Sequence, residues 1–118
     1  MNDLSHARRT LALAGLCGLT LLGTPAAWAV ETASFEIVAR AGKLVPERLE
    51  VPAGVRLKLT LRNEGKAPVE FESKELRIEK VLGPNASAVV TVQSLKPGSY
   101  KLVDEFHEAT SQMQLIAR

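Results

Sequence analysis

The alternation in Val55-Arg-Leu-Lys-Leu-Thr-Leu-Arg62 constrains this chain more than any other stretch. Successive side chains of an extended strand point to opposite sides. Val55, Leu57, Leu59 and Leu61 therefore share one face, and Arg56, Lys58, Thr60 and Arg62 the other. The pattern predicts a half-buried antiparallel strand, wet on one side, whose apolar side needs a second layer. No long amphipathic helix pattern follows it, so the cover must be another sheet. Short strand-like runs separated by turns are available for that role. Ser34–Arg40 alternates, with Phe35 and Val38 as expected core residues and Ile37 readable either way. Leu44–Val51 is extended, and Pro46 demotes it to an edge or a bend. Val69–Ser73 points Val69 and Phe71 inward, with Glu70 and Glu72 outward. Lys74–Leu82 reads either as a strand or as one helical turn, with Leu76, Ile78 and Val81 as its apolar residues. Ala88–Val92 is β-branched, Gly98–Asp104 follows the Leu95-Lys-Pro-Gly98 turn, and Gln112–Arg118 closes the chain with Met113 and Leu115 on one face. Several short strands at turn-punctuated spacing predict an all-β sandwich.

The head of the chain reads differently. Arg8 and Arg9 precede an apolar run over Leu11–Leu22, and Ala27-Trp28-Ala29 has the small-x-small form of a cleavage site. Residues 1–29 are expected to be a secretory signal peptide and 30–118 a single small domain. The arginine pair is also compatible with a twin-arginine export route. Cys17, the single cysteine of the 118 residues, falls inside the apolar run. The domain after it has no thiolate and no disulfide, and an export signal without disulfides points to the bacterial periplasm. Its charges are balanced, with 13 Lys and Arg against 12 Asp and Glu, and interleaved without a basic stripe. Nucleic-acid binding has no support from such a distribution. Phosphate loops, nucleophile-base spacings and His-Glu-x-x-His are absent, which leaves no hydrolase or transferase motif.

Chemistry concentrates after Tyr100. Tyr100, Leu102 and Asp104 share one strand face, so two apolar anchors lead to a carboxylate where the strand ends. His107 follows three residues later and Met113 six after that. Carboxylate, imidazole and thioether are all metal donors. Glu70, Glu72 and Glu79 are the acidic side chains that could converge with Asp104 and His107 at one end of a sandwich. A site rich in negative oxygen suits iron or divalent copper and favours ferric over ferrous iron. Each residue also has a plainer reading: Glu70, Glu72 and Glu79 as solvated surface, Asp104 as a structural hydrogen-bonding group, His107 as an exposed loop residue, and Met113 as core. Tyr100 reads as a packing residue whose hydroxyl bonds to a turn.

Val51-Pro-Ala-Gly54, the long alternating strand, Asn63-x-Gly65 and Leu95-x-Pro-Gly-x-Tyr100 occur in that order and together resemble the cupredoxins over most of Phe35–Arg118. The resemblance implies a Greek-key β-sandwich. It places Asp104 where blue-copper members carry a Cys ligand and His107 at their downstream His. The region of their upstream His reads Pro68-Val-Glu-Phe71 and contains no His. Glu70-Phe-Glu-Ser-x-x-Leu76-x-x-Glu79 with Asp104-Glu-Phe-His107 is similar to a cupredoxin branch associated with bacterial iron uptake, although that branch carries Gly where Met113 stands. The implied function is a periplasmic protein that binds a copper or iron ion, oxidises ferrous iron or passes the ion on, and works beside an inner-membrane iron permease and other periplasmic iron-uptake proteins. A metal-free adaptor or scaffold and a copper chaperone using Met113 and His107 are the alternatives.

Overall fold

The computed structural model describes residues 31–118, together with Gly18, Thr20 and Gly23. Apart from those three positions, the expected export segment over residues 1–29 lies outside the described residues, as do Arg8, Arg9, Cys17 and the Ala27-Trp28-Ala29 site. Among the described residues nine strands form two facing sheets. They are β1 (Thr32–Arg40), β2 (Lys43–Val45), β3 (Arg48–Val51), β4 (Arg56–Asn63), β5 (Val69–Ser73), β6 (Ile78–Leu82), β7 (Ser87–Val92), β8 (Gly98–Asp104) and β9 (Gln112–Ala117), with a single 3-10 turn at Glu105–His107. One sheet has the order β2-β1-β4-β7 and the other β3-β9-β8-β5-β6. The chain changes sheet at Pro46, so β2 and β3 are edge strands of opposite layers. This is the edge placement expected of a segment interrupted by proline.

The expected alternation builds the core. Leu57, Leu59 and Leu61 are fully buried, and across from them lie Phe71, Leu102, Met113 and Leu115. The sheets are mixed rather than antiparallel throughout. β4 runs antiparallel to β7 but parallel to β1, and β3 runs parallel to β9. In β1 the inward set is Ala33, Phe35, Ile37 and Ala39, all packed in or against the core. Ile37 takes the place between the sheets expected of Val38, which is also buried, at 9% exposure, but faces the other way, because period two cannot put residues 35 and 38 on one side. Lys74–Leu82 resolves into a turn followed by β6. Leu76, Ile78 and Leu82 are buried, whereas Val81 is 56% exposed on the outer face.

Two local devices shape the end of the sandwich nearest Asp104. Arg40 pairs with Lys43 across a two-residue hairpin turn in which Ala41 and Gly42 both have positive φ, 49° and 72°. That conformation matches the twist of the flanking strands. The Asn63 side chain, 1% exposed, is the second device. Its amide nitrogen lies 2.8 Å from the carbonyl of Ala67 and 3.1 Å from those of Leu82 and Gly83, and its oxygen accepts from Gly65 N–H at 2.9 Å. A Cβ at Gly65 would sit 3.2 Å from that oxygen, so the loop closes most tightly with glycine there.

Leu59→Ala is expected to cost about 2–5 kcal/mol in urea unfolding, since it leaves a cavity between the sheets. Val81→Ala is expected to stay within about 0.5 kcal/mol. A loss at Val81 equal to that at Leu59 would contradict this assignment of faces.

Candidate functional site

Asp104 is the last residue of β8 and pairs with Phe71 of β5, so both side chains point into the sandwich. It is 1% exposed. A buried carboxylate is tolerated only when its oxygens find donors, and here all are supplied locally. Oδ1 accepts from the backbone N–H of Glu70 at 3.0 Å and of Phe106 at 3.1 Å. The second bond caps the 3-10 turn. Oδ2 lies 2.7 Å from Nδ1 of His107. With Asp104 ionised, Oδ2 can only accept, so the proton of this contact belongs to Nδ1 and Nε2 is the free nitrogen. The imidazole is 42% exposed.

The segment after His107 is held by its own backbone. Ser111 and Thr110 N–H groups donate to the His107 carbonyl at 2.9 and 3.1 Å, and Asp104 N–H donates to the Ser111 carbonyl at 2.9 Å. The Ser111 hydroxyl, 1% exposed, donates to the Gly42 carbonyl, and Thr110 Oγ1 donates to the same oxygen at 3.0 Å. The β1–β2 hairpin turn is thereby docked onto the His107 loop. Between them and the Asn63 loop lies an open cleft of about 430 Å³, with Asp104, His107 and Val69 in its wall and Arg40, Lys43 and Lys66 at its rim.

The structure brings Asp104 and His107 together and leaves the other expected ligands apart from them. Glu70 and Glu72 alternate with the buried Val69, Phe71 and Ser73, which puts their side chains on the outer face of β5, away from Asp104. Glu70 meets Asp104 only through its backbone N–H. Glu79 is exposed on β6 directly opposite Glu72. Met113 is 2% exposed in the apolar core, paired with Leu102 on the neighbouring strand. The expected convergence of five oxygen and nitrogen donors is therefore corrected by strand parity: carboxylates at even positions of β5 cannot face a site entered from its odd positions. Among the described residues, no three His, Cys, Asp or Glu side chains are arranged to hold a metal ion.

Glu70, Glu72 and Glu79 belong instead to a mixed-charge outer surface. A shallow groove of about 330 Å³ there is lined by Glu72, Glu75, Glu105 and Glu108 with Lys74 and Lys101. A hydrogen bond shared with the Glu105 carboxyl raises Glu72 above its ordinary value; desolvation and repulsion by Glu105 add to this, and Lys74 opposes it. Sequence reasoning missed Glu105 as the partner of Glu72. It also missed Ser111, whose only signal is a small polar residue just before an alternating strand. The Asn63-x-Gly65 motif was visible, but its function as a carbonyl-gathering hub was not.

Comparison with known proteins gives the same picture of the fold. The profile of the family described as cupredoxin-like domain matches residues 11–117. An uncharacterised protein of Rickettsia prowazekii (strain Madrid E) is 36% identical over 74 residues, which cover 63% of this chain and 59% of that relative. A chain of a heme-copper terminal oxidase dimer superposes with a TM-score of 0.66 at 13% identity, covering 76% of this chain and 66% of its own. Less than two thirds of the length of each is thus spanned. Auracyanin A, a "blue" copper protein from Chloroflexus aurantiacus, superposes with a TM-score of 0.59 at 13% identity over 75% of this chain and the whole of its own. The described residues hold one imidazole, His107, and no cysteine, whereas a blue-copper centre needs a thiolate and two imidazoles. The sole cysteine is Cys17, and the histidines are His6 and His107.

Two measurements test the site. Asp104→Ala leaves the Glu70 and Phe106 N–H groups without their acceptor and is expected to cost about 3 kcal/mol in denaturant unfolding, against about 0.5 kcal/mol or less for Glu79→Ala. Equal losses would remove Asp104 from its structural role. Glu72, whose folded-state value is raised, contributes stability that is fully present below the unfolded carboxylate value and lost as pH rises through the raised one. Glu72→Gln should therefore gain in melting temperature relative to the parent between about pH 4 and about pH 7. A gain that shrinks over that interval would contradict the assigned direction.

Proposed function

The chain belongs to the cupredoxin-like domain family, and on that premise we propose that it is a periplasmic metal-binding protein that takes up a copper or iron ion as cargo at His107 and serves a bacterial iron-uptake system. The export segment expected over residues 1–29 would deliver it there, and an inner-membrane iron permease is the receiving partner implied by the iron-uptake branch it resembles. The observation that carries this reading is the 2.7 Å contact between Asp104 Oδ2 and His107 Nδ1. A carboxylate on the far nitrogen of a metal-binding imidazole fixes its tautomer and orientation and raises its basicity. Asp104 then acts as the orienting partner of the ligand rather than as a ligand, since both its oxygens are engaged. The metal is cargo held at an open position. One imidazole does not build a closed redox centre, so no oxidation step is assigned to these residues.

The full satisfaction of Asp104 also favours a second reading, a metal-free adaptor in which the Asp104-His107 pair only ties the loop to β5. The chaperone reading loses its soft ligand, because Met113 is core.

Titration of the protein with Cu(II), Fe(II) and Fe(III) separates the two. Binding to the folded state at about 100 times Kd raises stability by about 2.7 kcal/mol. His107→Ala should abolish the shift in melting temperature, and Asp104→Asn should weaken the affinity by about 10- to 100-fold. Met113→Leu should leave the affinity unchanged. Identical melting of the parent and His107→Ala with every ion would establish the adaptor reading instead.

A further inference from the structure

Among the described residues the edge strands are β2 and β7 of one sheet and β3 and β6 of the other. An edge strand exposes unpaired N–H and C=O groups that attract a further strand, and proteins ordinarily blunt such edges with shortness, charge or proline. Three of the four are blunted in this way. β2 has three residues, begins at Lys43 and stops before Pro46. β3 carries Arg48 and Glu50, and β6 carries Glu79 and Lys80. β7 is the exception. It is the longest of the four at six residues, Ser-Ala-Val-Val-Thr-Val, with no charge and no proline, and its Val89 is 55% exposed. We propose that β7 is a self-association edge, which pairs antiparallel with β7 of a second copy about a two-fold axis through Val89.

The direction of the backbone groups supports this pairing. Antiparallel neighbours alternate between residue pairs that exchange hydrogen bonds and pairs that do not. Asn63 N–H donates to the Ala86 carbonyl at 2.9 Å, so in the register that follows Ala88, Val90 and Val92 turn their backbone groups toward β4. Glu64 N–H donates to the Ala39 carbonyl of β1 at 2.9 Å, in keeping with the same parity on the other side of β4. Ser87, Val89 and Thr91 therefore point their N–H and C=O groups away from the sheet, where no strand receives them among the described residues.

A two-fold through Val89 is the register that engages all of these groups on both copies. It sets Val89 against the partner's Val89 and Ser87 against the partner's Thr91. Each such pair exchanges both N–H···O bonds. The outward side chains meet as a β-branched pair flanked by hydroxyl pairs, both favourable combinations across strands. The charges nearby do not oppose it. On β4, Lys58 lies beside Thr91 and Arg62 beside Ser87. Across the join, Lys58 and the partner's Arg62 are three strand spacings apart, about 14 Å, which exceeds the screening length of roughly 8 Å. The association closes at a dimer, because one patch serves both copies and the joined sheet ends on either side at the short, lysine-bearing β2. The Asn63 loop bounds the His107 cleft, and the paired β7 strands run in opposite directions. The two clefts thus open at opposite ends of the dimer, and the pairing is independent of what His107 binds.

Sedimentation equilibrium of the full chain over a concentration series tests this. The expected result is a reversible monomer–dimer equilibrium with no larger species. Val89→Lys sets two ammonium groups against each other and should weaken the dimer by about 10-fold or more. Its circular dichroism should match that of the parent, since residue 89 is exposed. Val81→Lys, at the exposed valine of β6, should leave the equilibrium unchanged. Disulfide trapping in a Cys17→Ser background reads the register. Directly paired residues have Cα atoms about 5.5 Å apart, inside the disulfide range of roughly 4.4–6.8 Å. Val89→Cys should therefore cross-link to its own copy under mild oxidation. Ser87→Cys and Thr91→Cys should cross-link when mixed but not alone, because the two copies of residue 87 stand about 13 Å apart. A chain that stays monomeric through the millimolar range overturns the proposal and leaves the edge to an extended segment of another protein. The proposal is equally overturned by an open series of oligomers, by association that Val89→Lys does not weaken, or by Ser87→Cys cross-linking alone as completely as Val89→Cys.

Discussion

A buried carboxylate at the end of β8 governs the architecture of this pole of the sandwich. Asp104 reaches into the core at a position where its strand neighbours two and four residues earlier are apolar, and solvent does not reach it. Its burial is tolerable only because three separate segments deliver donors to it: β5 through Glu70 N–H, the 3-10 turn through Phe106 N–H, and His107 through its imidazole. Removing any one donor leaves a charged oxygen underbonded in a medium of low dielectric, where the penalty is largest. The loop between β8 and β9 is thus not free to choose its path. It must return to place an N–H and an imidazole against the residue it has just left.

Around that clamp the same rule recurs with neutral groups. Asn63 gathers carbonyls from its own loop and from the end of β6, and Ser111 gives its hydroxyl to the hairpin turn. Buried polar side chains here act as cross-braces between segments distant in sequence. Among the described residues none of their buried nitrogen or oxygen atoms lacks a partner. The cleft beside His107 is bounded by these braced loops, so its walls owe their position to hydrogen bonds and not to packing alone.

Much of this was legible in the residues. Period two in β4, β5 and β9 gave the inward faces, and Asp104 at the end of an apolar triplet was recognisable as buried. The Tyr100 hydroxyl bonds to the Lys96 carbonyl at 2.7 Å, as a corner tyrosine was expected to. What could not be read was direction and register. Whether β1 lies parallel or antiparallel to β4 depends on connections made through the other sheet. The exposure of Val81 depends on where the turn after Ser73 ends, and there Arg77 takes a positive φ of 54° that no local signal announces. The convergence expected of Glu70, Glu72 and Glu79 failed for a reason the sequence did contain. The parity of Glu70 and Glu72 against Phe71, and of Glu79 against Ile78, already put them on the outer face, and chemical similarity to Asp104 obscured it.

The same parity explains why the site is sparse. From β5, only an odd position can look toward the cleft, and Val69 is the residue that does so. From β9, Met113 faces inward but one rung deeper, in register with Leu102 rather than with Asp104. Each strand that could have contributed a second ligand presents an apolar side chain at the needed place, and the end of β8 contributes Asp104. A thiolate there would bind a metal directly, whereas a carboxylate buried to this depth is consumed by backbone donors and can act only through the imidazole it holds.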